Sequence, residues 1–354
     1  MKRVALGLVA AGSLMACSAA EDSAPGAEQA ALSEKPSCTP VLACAAPAMA
    51  PAAKRTWRHG IKSRIDVIDG SPHHRGRDLF LNPGEPQTVI AKLTYGITDE
   101  DRNLEDEEVD VFVQRECGTT WEKLGTALTT RNNTKHATVE GVDDDGGRVY
   151  FAIPRDKELG PGRHRVRLVV AGDGSSTDLF LEVVPAHTPI FVSDVDGTLT
   201  SSESIEFLKL LEGTLPETHA GAPEALSALA AKGYRPIYIT ARPEWLVQRT
   251  RDFLEARGFP LGVVHTSTSI LGAGLGSAAA KYKTDELTML ARKGLVPTFG
   301  LGNKSSDSDA YAAAGIEPEN HRIFFQIKGT FAGRRIDSYN DLLPGIAALP
   351  AACR

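Results

Sequence analysis

The rhythm of hydrophobic and polar positions changes twice along the chain. Lys2 and Arg3 precede an apolar run, Val4 to Leu14, too short to cross a bilayer as a stable helix. Residues 18 to about 53 are rich in Ala, Pro, Ser and Glu and cannot bury a core. From about 65 to 186, short runs alternate or stay apolar between Gly, Pro, Asp and Asn. Gln87–Tyr95, Val109–Arg115, Arg148–Ile153, His164–Val170 and Thr177–Val184 have this strand pattern, and Asp143-Asp144-Asp145-Gly146-Gly147 reads as a turn. They predict a small antiparallel β-sandwich. Beyond Pro185, strands alternate with helical periods. Ile190–Ser193, Pro236–Thr240, Gly262–His265, Thr298–Leu301 and Arg322–Ile327 read as strands. Ala222–Ala231, Glu244–Arg257, Lys281–Arg292 and Asp307–Ala314 read as helices, with Gly233, Gly258 and Gly315 as stops. That alternation predicts an α/β fold with a parallel sheet.

The expected division is therefore a signal peptide over 1–16, a flexible tether over 17–64, a β-sandwich over 65–186 and an α/β domain over 187–350. Leu14-Met15-Ala16-Cys17 resembles a bacterial lipobox, which implies Cys17 as a lipid anchor on an exported lipoprotein of the bacterial cell envelope. About 40 tether residues reach roughly 35 Å, enough for the folded part to touch the membrane that holds it. Cys38, Cys44, Cys117 and Cys353 permit two disulfides outside the cytoplasm, with Cys38–Cys44 as the local pairing.

Charge changes the picture little. The net charge is −6 with no basic stripe, which argues against nucleic acid as a partner. The basic cluster around Trp57, from Lys54 to Arg64, reads as solvated, or as resting on anionic head groups. The acidic run from Asp99 to Asp110 lacks the glycine and spacing of a calcium loop and reads as solvated. His73-His74 has no Cys or carboxylate placed beside it for a metal site.

Candidate chemistry gathers after the first strand of the α/β part. Phe191-Val192-Ser193-Asp194-Val195-Asp196-Gly197-Thr198 ends an apolar run in two carboxylates one residue apart. Alternation would aim both the same way, where a shared cation or proton relieves their repulsion. Thr240 ends the second strand, Lys283 opens a helix, and Gly302-Asn303-Lys304-Ser305-Ser306-Asp307-Ser308-Asp309 follows another strand. A nucleophilic carboxylate, a second carboxylate, a hydroxyl, a lysine and a distal acid make a phosphoryl-transfer set.

This ordered set resembles the haloacid-dehalogenase (HAD) phosphatases, whose first motif is Asp-x-Asp-x-Thr. The closer similarity is to the lipin/Nir/Smp-type domain of phosphatidate phosphatases and of the membrane-associated phosphatidylinositol transfer proteins (retinal-degeneration-B/Nir). It extends upstream through His73-His74-Arg75, Gly84-Glu85-Pro86-Gln87, Tyr95-Gly96, Val109-Asp110-Val111 and Arg165–Val170, so it covers about 70 to 345. The resemblance implies a HAD-like, Rossmannoid sheet and a Mg²⁺-dependent phosphatase. Asp194 would be the nucleophile and Asp196 the acid/base. Thr198, Thr240, Arg242 and Lys283 would hold phosphoryl oxygens, and Asp194, Asp196 and Asp307 the metal. Lys281 competes with Lys283, and Asp309 with Asp307. The animal transfer proteins resemble dead phosphatases that bind phosphatidic acid because the first carboxylate is replaced; here both stand. Ser305-Ser306 departs from the Pro-Asn of lipin-like chains. One helix-sized insert follows Thr198 and about forty residues separate Thr240 from Lys283, so no large cap is expected. An open site suits a head group at a membrane surface, with phosphatidic acid as the first expectation for the substrate.

Overall fold

The computed structural model describes residues 41–44, 47–96, 101–201, 214–269 and 271–353. The expected signal peptide, Cys17, Cys38 and the bulk of the insert after Thr198, at 202–213, lie outside the described residues.

The long strand β10 (Gly162–Val170) centres a five-stranded sheet. It pairs antiparallel with β7 (Glu108–Gln114) and β11 (Ser176–Val183). The short β3 (Leu79–Leu81) pairs parallel with β11, and β8 (Glu122–Leu128) closes the other side. A second sheet, β2 (Arg75–Gly76), β4 (Thr88–Lys92) and β9 (Arg148–Ala152), shares one core with the first through Val89, Val149, Val111, Val166 and Leu179. A third small sheet holds β1 (Ser71–Pro72), β5 (Thr94–Gly96) and β6 (Arg102–Asn103).

The α/β part is a six-stranded sheet in which every neighbouring pair is parallel. Its order is β14 (Val263–Ser267), β13 (Arg235–Pro243), β12 (Ile190–Ser193), β15 (Phe299–Gly302), β16 (Arg322–Phe325) and β17 (Arg334–Ile336). Alternate residues of β12 enter two cores. Phe191 packs with Leu226, Leu229 and Phe253, while Ile190 and Val192 pack with Leu287, Leu290 and Tyr311. A sheet covered on both faces reads as the near-continuous apolar runs seen in the sequence. Among the described residues the α-helices are α1 (Gly60–Asp69), α2 (Ala222–Ala231), α3 (Val247–Ala256), α4 (Ser277–Arg292), α5 (Ser305–Ala313) and α6 (Leu343–Ala348).

The two parts are joined by buried charge as well as by apolar contact. Phe80 and Val184 sit in the core under the parallel sheet. Asp78 accepts from Arg251 of α3 at 2.7 Å, and Glu182 accepts from Arg235 of β13 at 2.9 Å. Lys35–Arg354 forms one compact unit.

Two expectations change. The tether expected over 17–64 ends sooner, because the basic and acidic runs neutralise each other rather than being solvated. Arg55 forks onto Asp110 at 2.8 and 2.9 Å, His59 reaches Asp106 at 2.8 Å, and Ser63 of α1 donates to Glu107 at 2.6 Å. Helix α1 thus turns Ser63 and Asp66 inward and leaves Ile61, Ile65 and Ile68 outward. The local pairing Cys38–Cys44 is also replaced: Cys44 is bonded to Cys117, across 73 residues, which clips the start of the folded chain to the strand region. Proximity in sequence loses here to proximity in the fold. The His pair is structural: His73 contacts Asp101 at 2.8 Å, and His74, pushed down to about 4 mainly by burial, accepts from the Thr94 amide.

Candidate active site

Because the sheet is parallel, the C-terminal ends of its strands share one edge, where open α/β sheets place ligands. Strand β12 ends at Ser193, so Asp194 and Asp196 both lie in the following loop. The Asp194 amide donates to the Leu301 carbonyl of β15 at 2.9 Å, and Gly197 takes the left-handed conformation that turns the chain back.

The structure gives the two carboxylates separate partners instead of one shared cation. Asp194 is 4 % exposed; its Oδ1 accepts from Lys283 Nζ at 2.6 Å and its Oδ2 from the Thr198 hydroxyl at 2.8 Å. Asp196 is taken by the Arg242 fork, with Nη2 at 2.7 Å and Nε at 3.0 Å, and by the Thr240 hydroxyl at 2.9 Å. Arg242 is braced in turn against Thr250 at 3.0 Å. Two of the four residues expected on substrate phosphate, Thr240 and Arg242, therefore hold Asp196, while Thr198 and Lys283 hold Asp194.

Lys283, on the inner face of α4, also donates to Asp307, so one ammonium bridges two buried carboxylates. Asp307 reaches in from the first turn of α5 and accepts the Asn303 and Lys304 amides at 2.9 and 3.0 Å. Gly302 makes room for it: a Cβ there would sit 2.5 Å from the Asp307 Cβ. The alternatives separate cleanly, because Lys281 is 76 % exposed on Asp285 and Asp309 points outward.

Burial pushes Asp194 up to about 6, against the pull of Lys283. Burial would also lower Lys283, but Asp194 and Asp307 outweigh it and hold the lysine above its usual range. Burial would raise Asp196 too; the charge and hydrogen bonds of Arg242, with Thr240, keep it below the usual carboxylate range.

Sequence reasoning gave no role to Asn303, whose Oδ1 lies 3.1 Å from the Thr198 hydroxyl, or to Tyr339, whose hydroxyl donates to the Thr198 carbonyl at 2.6 Å. Asn303 had a signal, its place just after a parallel strand; Tyr339 had none. For a metal, the expected set was Asp194, Asp196 and Asp307. No group of three His, Cys, Asp or Glu side chains converges among the described residues, because the Asp196 carboxylate is turned to Arg242. Asp194 and Asp307 do converge. Two carboxylates against one ammonium leave negative charge uncompensated, and an all-oxygen donor set fits a hard divalent cation.

Residues 191–327 match the family described as the LNS2 domain of PITM 1-3, and residues 72–183 its β-sandwich domain. The protein retinal degeneration B of Drosophila melanogaster is 29% identical over 259 residues, 73% of this chain and 18% of that protein. Human membrane-associated phosphatidylinositol transfer protein 1 is 28% identical, over 74% of this chain and 19% of its own length. Mouse membrane-associated phosphatidylinositol transfer protein 2 is 30% identical, over 73% and 17%. The chain spans about a fifth of the length of these relatives. They also overturn the expected bacterial exported lipoprotein: the relatives are proteins of a fly and of mammals, the mammalian ones named as membrane-associated phosphatidylinositol transfer proteins, and that expectation rested on a short apolar run and one cysteine outside the described residues. The folded chain belongs to the β-sandwich–LNS2 region of the retinal-degeneration-B/Nir phosphatidylinositol transfer proteins, with the HAD-like domain as its second half.

Proposed function

We propose that the Asp194–Lys283–Asp307 cluster is a Mg²⁺-dependent phosphomonoesterase site acting on phosphatidic acid or a related phospholipid monoester. The observation that carries this is a buried carboxylate at the end of the central strand, aligned by Lys283 at 2.6 Å and Thr198 at 2.8 Å. Asp194, ionised above about pH 6, attacks phosphorus; its Oδ–P bond forms as the bond to the lipid alkoxide breaks. Asp196 gives the alkoxide a proton and later takes one from the water that cleaves the aspartyl-phosphate, releasing phosphate and restoring both carboxylates. Lys283 offsets charge on the transferring oxygens. Mg²⁺, held by Asp194, Asp307 and the Asp196 carbonyl, would offset repulsion between nucleophile and anionic substrate.

One observation favours a second reading, a module that binds phosphatidic acid without turnover. Asp196 is held ionised by Arg242 and Thr240 and has no proton to give until they release it. The test is phosphate release from phosphatidic acid in mixed micelles and from p-nitrophenyl phosphate, with and without Mg²⁺, beside Asp194→Asn. Release that needs both Mg²⁺ and Asp194 supports the enzyme. Saturable binding of phosphatidic-acid vesicles with no release selects the binder.

A further inference from the structure

We propose that residues 271–276, after β14, form a bilayer-contacting rim of the candidate site, and that their partner is the surface of an anionic phospholipid bilayer. This rests on reading the substrate as a membrane phospholipid. Loops that leave the C-terminal ends of the parallel strands all emerge at one edge of the sheet. Asp194 is at that edge. So are Leu271 and Leu275, 80% and 82% exposed, among the most exposed large apolar side chains of the described chain. Lys328, in the loop after β16, is exposed at the same edge and makes no ion pair with a described residue.

The rim is tied to the site. The Ala273 amide donates at 2.9 Å to the carbonyl of Ala241, which stands between the two residues that hold Asp196. The Gly272 amide closes a turn onto the Ser269 carbonyl at 3.0 Å. A Cβ at Gly272, where φ is +83°, would lie 2.5 Å from the Ala241 carbonyl oxygen, so glycine is what lets the loop approach the strand this closely. Leu271 and Leu275 flank the anchor at Ala273, and α4 starts at Ser277 and carries Lys283 inward. A leucine pair in such a position loses apolar exposure by entering the acyl boundary, while Lys328, farther along the same edge, meets head-group phosphate. No helix among the described residues is long and apolar enough to cross a membrane; the contact proposed for this edge is an interfacial one. It would present a phosphomonoester head group to Asp194 without extracting the lipid.

The test uses the full chain with phosphatidylcholine vesicles, with and without phosphatidic acid. Leu271→Asp/Leu275→Asp should lower the partition coefficient about tenfold or more, with the melting midpoint and the hydrolysis of p-nitrophenyl phosphate unchanged. Lys328→Glu should weaken binding only to the anionic vesicles, and less so in high salt. Ile61→Asp/Ile68→Asp, on the outward face of α1, should bind as wild type does. Wild-type partitioning by the leucine variant, or loss of binding only in the α1 variant, overturns the proposal. If the leucines prove necessary for binding yet wild type releases no phosphate, the rim stands and the phosphatase reading falls.

Discussion

Replacing Arg77 with leucine should destabilise the chain by about 3–5 kcal/mol, the cost of leaving a buried charge without its partner. Arg77 belongs to the strand-rich half, yet its Nη2 donates to Glu286 of α4 at 2.5 Å and its Nη1 to the Thr266 carbonyl at 3.1 Å. Glu286 is 5 % exposed and also contacts His265 Nδ1 at 2.6 Å. Burial alone would raise its pKa; Arg77 and His265 overcome that and hold it at about 2, against an ordinary 4.5. That gap favours the charged form by about 3 kcal/mol. Its folded pKa lies below the unfolded one, so this stability is present above about pH 4.5 and lost as the pH falls towards 2. Without Arg77 the loss should begin at higher pH. Urea unfolding at pH 7 reads the cost, and the Arg77→Leu/Glu286→Leu pair tests its origin. If the penalty is an orphaned charge, the double variant costs much less than the sum of the two single ones. Strict additivity, or a cost below about 1 kcal/mol for Arg77→Leu alone, refutes the reasoning. The clamp also bears on chemistry, because Lys283 stands one turn before Glu286 on the same helix.

Asp194→Asn should cut phosphate release by roughly 10³-fold or more, as for other lost nucleophiles, while phosphatidic-acid vesicle binding persists or rises; equal release by the wild type and the variant would exclude covalent catalysis at Asp194. Asp196→Asn should let phosphoenzyme accumulate after acid quenching, and an unlabelled variant that still turns over would remove Asp196 from the acid/base role. Gly172→Ala places a Cβ 2.2 Å from the Trp57 ring, so it should cost about 1–3 kcal/mol and open residues 54–64 to proteolysis; an unchanged melt and digest would show that the segment does not depend on that contact.

The sequence pattern was most legible where one force decides. The parallel strands are buried on both faces and show as unbroken apolar runs, so β12, β13, β14, β15 and β16 are each found within a few residues. Strand β8 was missed because only Leu124 in it is buried, which leaves no alternation to see. Asp194, Lys283 and Asp307 were legible as strand-end and helix-start polar residues, and the structure brings them together. The diversion of Arg242 and Thr240 to Asp196 was not legible, since a local pattern does not say which of two neighbouring carboxylates a long cation will reach. The docking of Lys54–Arg64 was hidden for a related reason. Its acidic partners lie about fifty residues away in sequence and looked like a solvated loop of their own.

Charge balance at the site separates the two functional readings. Asp194, Asp196 and Asp307 face Lys283 and Arg242, and both cations are already engaged. A phosphate dianion entering next to an ionised Asp194 meets repulsion of about 4 kcal/mol per pair of unit charges at 4 Å and an effective dielectric of 20. Either a divalent cation or a proton on Asp194 must offset this. Catalysis needs the ionised carboxylate, so turnover with Mg²⁺ should rise with pH. Binding without metal needs the neutral form; burial raises Asp194 to about 6, so in EDTA the affinity for phosphatidic-acid vesicles should strengthen as the pH falls from 7.5 to 5. Asp194→Asn carries no charge at either pH and should flatten that dependence. Metal-free binding that is indifferent to pH in the wild type, or that keeps its slope in Asp194→Asn, would show that Asp194 does not face the phosphate.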